Sequence, residues 1–74
     1  MTTSYQKFSF LRGYNNLPRK HLREVREEIT SALGISRESF YRRLRGEVEP
    51  KVSEAKKIEE IFNRYEISNI WGDK

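Results

Sequence analysis

The side chains best suited to bind a ligand in this sequence are concentrated between Ser36 and Arg45. This stretch, SRESFYRRLR, holds four arginines and one glutamate, a local charge of +3. The planar guanidinium of arginine presents a fork of N–H donors that matches phosphate oxygens and the O6 and N7 atoms of guanine. Such a patch predicts a polyanionic partner, and the alternative is a basic helix face that only contacts water.

The excess positive charge of the whole chain lies in the same part of the sequence. The 74 residues carry a formal net charge of +4. Residues 1–50 contain ten basic and six acidic side chains, whereas residues 51–74 contain five of each. This asymmetry favours one concentrated basic surface over a generally basic protein.

Other chemistries find little support in the sequence. The chain has no cysteine and one histidine, His21, so a disulfide, a thiolate metal site or a histidine pair cannot form within it. The adjacent carboxylates Glu27–Glu28 and Glu59–Glu60 diverge on a helix and do not form acid/base pairs. We therefore expect no enzyme activity, metal, cofactor or small-molecule ligand. Because no apolar run approaches about 18 residues, we also expect no membrane partner and a cytoplasmic protein.

The elements that must position these side chains are predicted to be helices. The length indicates one domain, residues 1–74, and a chain this short has little room for an enclosed cavity beside its core. The fold class that we predict is all-α, a small bundle of about four helices near residues 5–14, 18–33, 36–45 and 53–65.

The two central helices have the clearest boundaries. Pro18 suits the first position of a helix, and Gly34 suits its C-terminal end because glycine adopts a positive φ readily. Ser36 is a typical N-cap, since its hydroxyl can accept an unpaired backbone N–H. In the second of these helices Phe40 and Leu44 lie one turn apart, so both are predicted to point inward.

The two ends of the chain are harder to interpret. Tyr5, Phe8, Leu11 and Tyr14 fit a short helix, but alternating apolar residues over 5–12 also fit a strand, and Gly13 with Asn15–Asn16 indicates a turn. Residues 66–74 form an apolar tail that must pack on the core or on a second copy of the chain. The candidate interface consists of Tyr65, Ile67, Ile70 and Trp71.

The link LGIS between the two central helices is short and contains glycine, which is typical of a helix-turn-helix. In that arrangement the second helix enters the major groove of DNA. The residues that would fix the angle between the helices are Ile29, Leu33, Gly34, Ile35, Phe40 and Leu44.

The stretch GISRESFYRRLRGEVEP resembles the lambda-repressor and Cro-like helix-turn-helix family. Gly34, Ile35, Ser36, Phe40, Gly46 and Pro50 match that family in type and spacing. The resemblance implies operator DNA as the ligand, a dimeric protein and a role in transcription. It also implies that Ser36, Arg37, Glu38, Ser39 and Arg42 occupy contact positions. The sequence departs from the family at Thr30, where alanine is usual, and at Arg43, where an apolar residue is usual.

The sequence as a whole therefore predicts a sequence-specific double-stranded DNA-binding protein, a homodimer and a regulator of repressor type. The predicted DNA-contacting residues are Ser36, Arg37, Glu38, Ser39, Tyr41, Arg42, Arg43 and Arg45, with Arg19, Lys20 and Lys51 as further phosphate contacts. Two alternatives remain. One is a ribbon-helix-helix DNA-binding protein that uses residues 5–12 as a strand, and the other is a protein-interaction or antitoxin module that presents the basic helix to an acidic partner.

Overall fold

Four α-helices provide the regular structure of residues 8–72, the part of the chain that the computed structural model describes. A short 3-10 turn, Arg19–His21, precedes the second of them, and no strand occurs in these residues. The predicted all-α class is confirmed. The helices are α1 (Leu11–Asn15), α2 (Leu22–Leu33), α3 (Arg37–Leu44) and α4 (Val52–Arg64).

The turn between α2 and α3 forms as its local sequence predicts. Gly34 adopts φ 64°, in the left-handed region, and the backbone N–H groups of Gly34 and Ile35 donate to carbonyls in the last turn of α2. Ser36 is extended, and its Oγ accepts the backbone N–H of Ser39 at 3.1 Å. Both helix ends are therefore closed by groups within a few residues of them.

The start of α2 differs from the prediction. Pro18 was expected as the first residue of the helix, but its ψ of 144° is extended and the α-helix begins at Leu22. The N–H of His21 donates to the carbonyl of Pro18 at 2.9 Å, which closes the intervening residues into a 3-10 turn.

The N-terminal segment also differs from the continuous helix predicted over residues 5–14. Phe8 is helical, Ser9 and Phe10 are irregular, and Gly13 lies inside α1 rather than in a turn. Ser9 Oγ donates to the carbonyl of Leu44 at 2.8 Å, which directs the chain onto the end of α3. Residues 8–12 form no strand, so the ribbon-helix-helix arrangement is wrong for them, and Tyr5 lies outside the described residues.

The core lies between α2, α3, α4 and the two ends of the described chain. Phe10 packs edge-on against Phe40 and Phe62, with ring centroids 5.8 and 6.1 Å apart. Leu33 and Ile35 are half-buried against this core, as their predicted role beside the turn requires. The buried apolar residues are Phe10, Leu17, Val25, Ile29, Phe40, Leu44, Ile58, Ile61, Phe62 and Ile70.

The C-terminal tail folds back onto α1 instead of leaving the domain. The N–H of Gly13 donates to the carbonyl of Ile70 at 3.0 Å, and the N–H of Arg12 donates to that of Gly72 at 2.9 Å. Ile70 is 3% exposed. This corrects the expectation that Ile70 offers apolar surface to a second subunit.

The other three residues of the expected interface also contact their own chain. Tyr65 Oη donates to Glu28 at 2.7 Å, and Trp71 Nε1 donates to Glu59 at 2.8 Å. Ile67 is half-buried and packs against the core. Asp73 and Lys74, the last residues of the predicted tail, lie outside the described residues. Within residues 8–72, no helix has the length and apolar character that a membrane span requires.

Candidate nucleic-acid interface

The α3 helix has one buried and one exposed face. Phe40 is fully buried and Leu44 is 4% exposed, so these two residues attach the helix to the core. At 3.6 residues per turn, five other positions of this segment fall within an arc of about 140° that contains neither buried residue. These five positions are Arg37, Glu38, Tyr41, Arg42 and Arg45.

The exposed arc carries most of the predicted DNA-contacting residues. Arg37, Glu38, Arg42 and Arg45 are exposed, and Tyr41 is half-buried between Arg37 and Arg45. The arc therefore offers donors that suit guanine and phosphate, with one carboxylate that suits an amino group such as cytosine N4. Ser36 and Ser39 lie at the beginning of α3, where they form the helix cap.

Arg43, also among the predicted DNA contacts, is directed away from this arc, unlike Arg37, Arg42 and Arg45. Its side chain is 16% exposed, and Nη1 donates to Glu54 Oε1 at 2.9 Å. Glu54 also accepts the backbone N–H of Lys51 at 3.0 Å. The Lys51 hydrogen bond and then the Arg43 guanidinium lower the pKa of Glu54, so the pair is charged at neutral pH. Arg43 thus connects the end of α3 to the start of α4.

Arg26 belongs to the same surface, although the sequence did not single it out. Its Nη1 donates to Tyr41 Oη at 3.1 Å, which joins α2 to the exposed arc of α3. This hydrogen bond, with a smaller contribution from Arg37, lowers the pKa of Tyr41. The only feature of the sequence that could have pointed to Arg26 is its position on α2, eight residues before Gly34. Its proximity to Tyr41 depends on the angle between the two helices.

Arg42 and Arg45 share one carboxylate, that of Glu47. Arg45 Nε lies 2.7 Å from Glu47 Oε2, and Arg42 Nε lies 3.5 Å from Glu47 Oε1. The hydrogen bond from Arg45 is the main cause of a lowered pKa of Glu47, so this carboxylate is charged at neutral pH. Two of the arginines in the arc are therefore held by a partner within the protein.

The predicted phosphate contacts flank the two central helices. Arg19 and Lys20 lie in the 3-10 turn before α2, and Lys51 lies immediately before α4. All three side chains are exposed, and none forms an ion pair with another residue of the described range. Their cationic groups are thus accessible beside the ends of α2 and α4.

A groove between α2 and α4 has the opposite charge. Arg64 donates to Glu28 within it. Its lining includes four glutamates and two basic residues: Glu24, Glu27, Glu28, Glu60, Lys57 and Arg64. Among the residues that the structure describes, no cluster of three potential metal ligands exists. The α3 arc and the α2–α4 groove therefore carry charges of opposite sign.

Comparison with known proteins gives no match: no family model, curated protein or solved structure is significantly similar to this chain. The likeness of the α2-turn-α3 sequence to the lambda-repressor and Cro-like family therefore stays a resemblance. The functional argument depends on the geometry and charge of α3 and its surroundings.

Proposed function

We propose that this protein is a sequence-specific double-stranded DNA-binding protein, a transcriptional regulator of repressor type that inserts α3 into the major groove. One observation supports this proposal above all others. The helix is anchored by Phe40 and Leu44 on one face, and it presents arginines and a glutamate on the other. An α-helix fits the major groove, which is about 12 Å wide, and its outward side chains then reach the base edges.

The arrangement suggests a division of roles within the surface. Arg37 and Arg42 can make bidentate contacts with guanine, and Glu38 can accept from the N4 amino group of cytosine. Arg26 with Tyr41 is suited to a phosphate at the edge of the groove. Arg19, Lys20 and Lys51 lie beyond α3, where they can contact the backbone and fix the register of the protein without reading sequence.

The proposal includes a homodimer and a cytoplasmic location. A single α3 spans few base pairs, and helix-turn-helix proteins obtain useful specificity by binding two half-sites about one helical turn apart. Because Ile70 is buried in its own chain, the dimer interface must be formed by other residues. Sedimentation of the free and the DNA-bound protein tests this part, and a monomer in both states contradicts it.

The decisive experiment compares Arg42→Ala with Arg64→Ala. Duplexes that bind wild-type protein are selected from a random pool, and affinities are measured on a selected and a scrambled duplex at several salt concentrations. For wild type we expect log K to fall with log salt by about 0.9 for each phosphate neutralised. Arg42→Ala should cost about 1–3 kcal/mol on the selected site and relax its preference at one base pair.

Arg64→Ala is the matched control, because it removes the same charge from the acidic groove of α2 and α4. It should change affinity much less than Arg42→Ala. If Arg42→Ala lowers the affinity for both duplexes equally, α3 is only an electrostatic contact and does not read sequence. If wild type binds no duplex at low salt, the protein-interaction alternative with an acidic partner is favoured instead.

A further inference from the structure

The backbone at the end of α3 fixes the position of Glu47. Gly46 adopts φ 86°, and the N–H of Glu47 donates to the carbonyl of Arg42 at 3.0 Å. The N–H of Gly46 donates to the carbonyl of Arg43, also at 3.0 Å. This pair of hydrogen bonds is a Schellman motif, a common way to close a helix. It brings the chain back over the last turn of α3, so Glu47 lies beside the residues of the exposed arc.

The Glu47 carboxylate lies between two arginines of that arc. The closest approach in each pair is made by Nε, at 2.7 Å for Arg45 and 3.5 Å for Arg42. The two arginine side chains are 53% and 57% exposed, so they are held in place while most of their surface stays in contact with solvent. A guanidinium held at Nε still has its two terminal amino groups, which can form a bidentate contact.

We propose that Glu47 is a specificity-determining residue of the DNA-binding surface, because its carboxylate orients Arg42 and Arg45 and opposes their attachment to phosphates. This inference rests on the proposed function. The carboxylate repels a phosphate that approaches either arginine, whereas a neutral base edge meets no such charge repulsion. A base contact made by the terminal amino groups keeps the ion pair and benefits from its orientation. Glu47 therefore weakens binding to DNA sequences whose bases do not fit Arg42 and Arg45 in the orientation that the carboxylate gives them.

The test compares Glu47→Gln with Glu49→Gln in the full-length protein. Glu49 is exposed, lies two residues further along the same loop and forms no ion pair with any residue of the range 8–72. Both substitutions remove one negative charge, and both retain the length of the side chain. Affinities are measured on a duplex selected from a random pool and on its scrambled counterpart, at the same salt concentration.

We expect Glu47→Gln to raise the affinity for the scrambled duplex roughly two- to tenfold relative to Glu49→Gln, the effect of releasing two exposed ion pairs. The ratio of selected to scrambled affinity should fall by a similar factor. Thermal unfolding of both variants provides the structural control, because the backbone hydrogen bonds of Glu47 do not depend on its carboxylate. Glu47→Ala, which removes the carboxylate without leaving an amide, should show the same loss of discrimination.

Two results overturn the inference, and they are distinguishable. If wild type discriminates between the duplexes and Glu47→Gln behaves like Glu49→Gln, Glu47 has no special role and the proposed function stands. If wild type binds no duplex, the proposed function fails and the inference fails with it.

Discussion

At the scale of single residues, the contact between Arg26 and Tyr41 joins a cation of α2 to a hydroxyl of α3. The Tyr41 hydroxyl accepts a hydrogen bond from Arg26, so its own hydrogen remains for an external acceptor. The Tyr41 ring packs edge-on against Phe40, with centroids 5.1 Å apart, which limits its movement. A cation and a hydroxyl are thus held together on the exposed arc.

Substitution of Arg26 by alanine should affect all DNA sequences alike. We expect weaker binding to selected and scrambled duplexes by similar factors, and a salt dependence that is shallower by about one unit, because one phosphate contact is lost. The pKa of Tyr41 should also rise towards its ordinary value of 10.0, since the hydrogen bond from Arg26 lowers it. Spectrophotometric titration, with Tyr41→Phe to assign the signal, measures this change.

Arg64→Ala again provides the control for the loss of one positive charge, and it should leave the Tyr41 titration unchanged. An unaltered Tyr41 pKa in Arg26→Ala would show that the two side chains are not hydrogen-bonded in solution. A loss of affinity restricted to the selected duplex would instead assign Arg26 to base recognition.

At the scale of the secondary-structure elements, α3 and α4 end with the same geometry but with different residues. Gly46 follows α3 with φ 86°, whereas Glu66 follows α4 with φ 64°. The N–H of Ile67 donates to the carbonyl of Phe62 at 3.0 Å, so the chain after α4 turns as it does after α3. A left-handed conformation is unfavourable for a residue with a Cβ atom, and α4 therefore ends with local strain.

Glu66→Gly should relieve this strain and stabilise the protein. We expect the free energy of unfolding to rise by about 0.5–1 kcal/mol, because glycine adopts a positive φ without steric penalty but loses more backbone entropy on folding. Replacing the glycine at the end of α3, Gly46→Ala, should lower the free energy of unfolding by about 1 kcal/mol. Urea unfolding of the three proteins measures both effects. Equal destabilisation by the two substitutions would mean that the end of α4 is not strained.

The elements are also connected by the ion pair between Arg43 and Glu54. The Glu54 carboxylate accepts hydrogen bonds from the Arg43 guanidinium of α3 and from the backbone N–H of Lys51, which caps α4. The carboxylate therefore fixes the end of the proposed recognition helix relative to α4. The half-buried Arg43 thus has a partner of opposite charge on the next helix.

At the scale of the whole molecule, the two ends of the described chain close the bundle together. Gly72 donates its N–H to the carbonyl of Ser9, and the Ser9 hydroxyl donates to the carbonyl of Leu44. The C-terminal tail is thus connected through Ser9 to the end of α3. This arrangement makes the tail part of the fold that supports α3 and its exposed arc.

Ile70→Ala should consequently destabilise the monomer. We expect a loss of about 2–5 kcal/mol in the free energy of unfolding, the range for truncating a buried isoleucine. Val52→Ala is the matched control, since Val52 is 77% exposed and its truncation should change stability by less than about 0.5 kcal/mol. Denaturant unfolding at two protein concentrations measures both variants. If the effect of Ile70→Ala depended on protein concentration, Ile70 would contribute to a subunit interface after all.

The sequence alone determined the features that depend on neighbouring residues. The positive φ of Gly34 and the cap formed by Ser36 act within one turn of the helix ends that they define, so residue type was sufficient to predict them. The inward direction of Phe40 and Leu44 follows from the helical period and their apolar character. The turn between α2 and α3 and the inward face of α3 were therefore predictable.

Only the tertiary structure decided the features that depend on distant residues. Arg42 and Arg43 are the same amino acid at adjacent positions, yet one faces solvent beside Glu47 and the other is half-buried against Glu54. The partner and the burial of each arginine depend on the path of the loop after α3 and on the placement of α4. The burial of Ser9 likewise depends on a hydrogen bond to a residue 35 positions away. Such contacts form only when the helices pack, because nothing in the local sequence specifies which partner a side chain will meet.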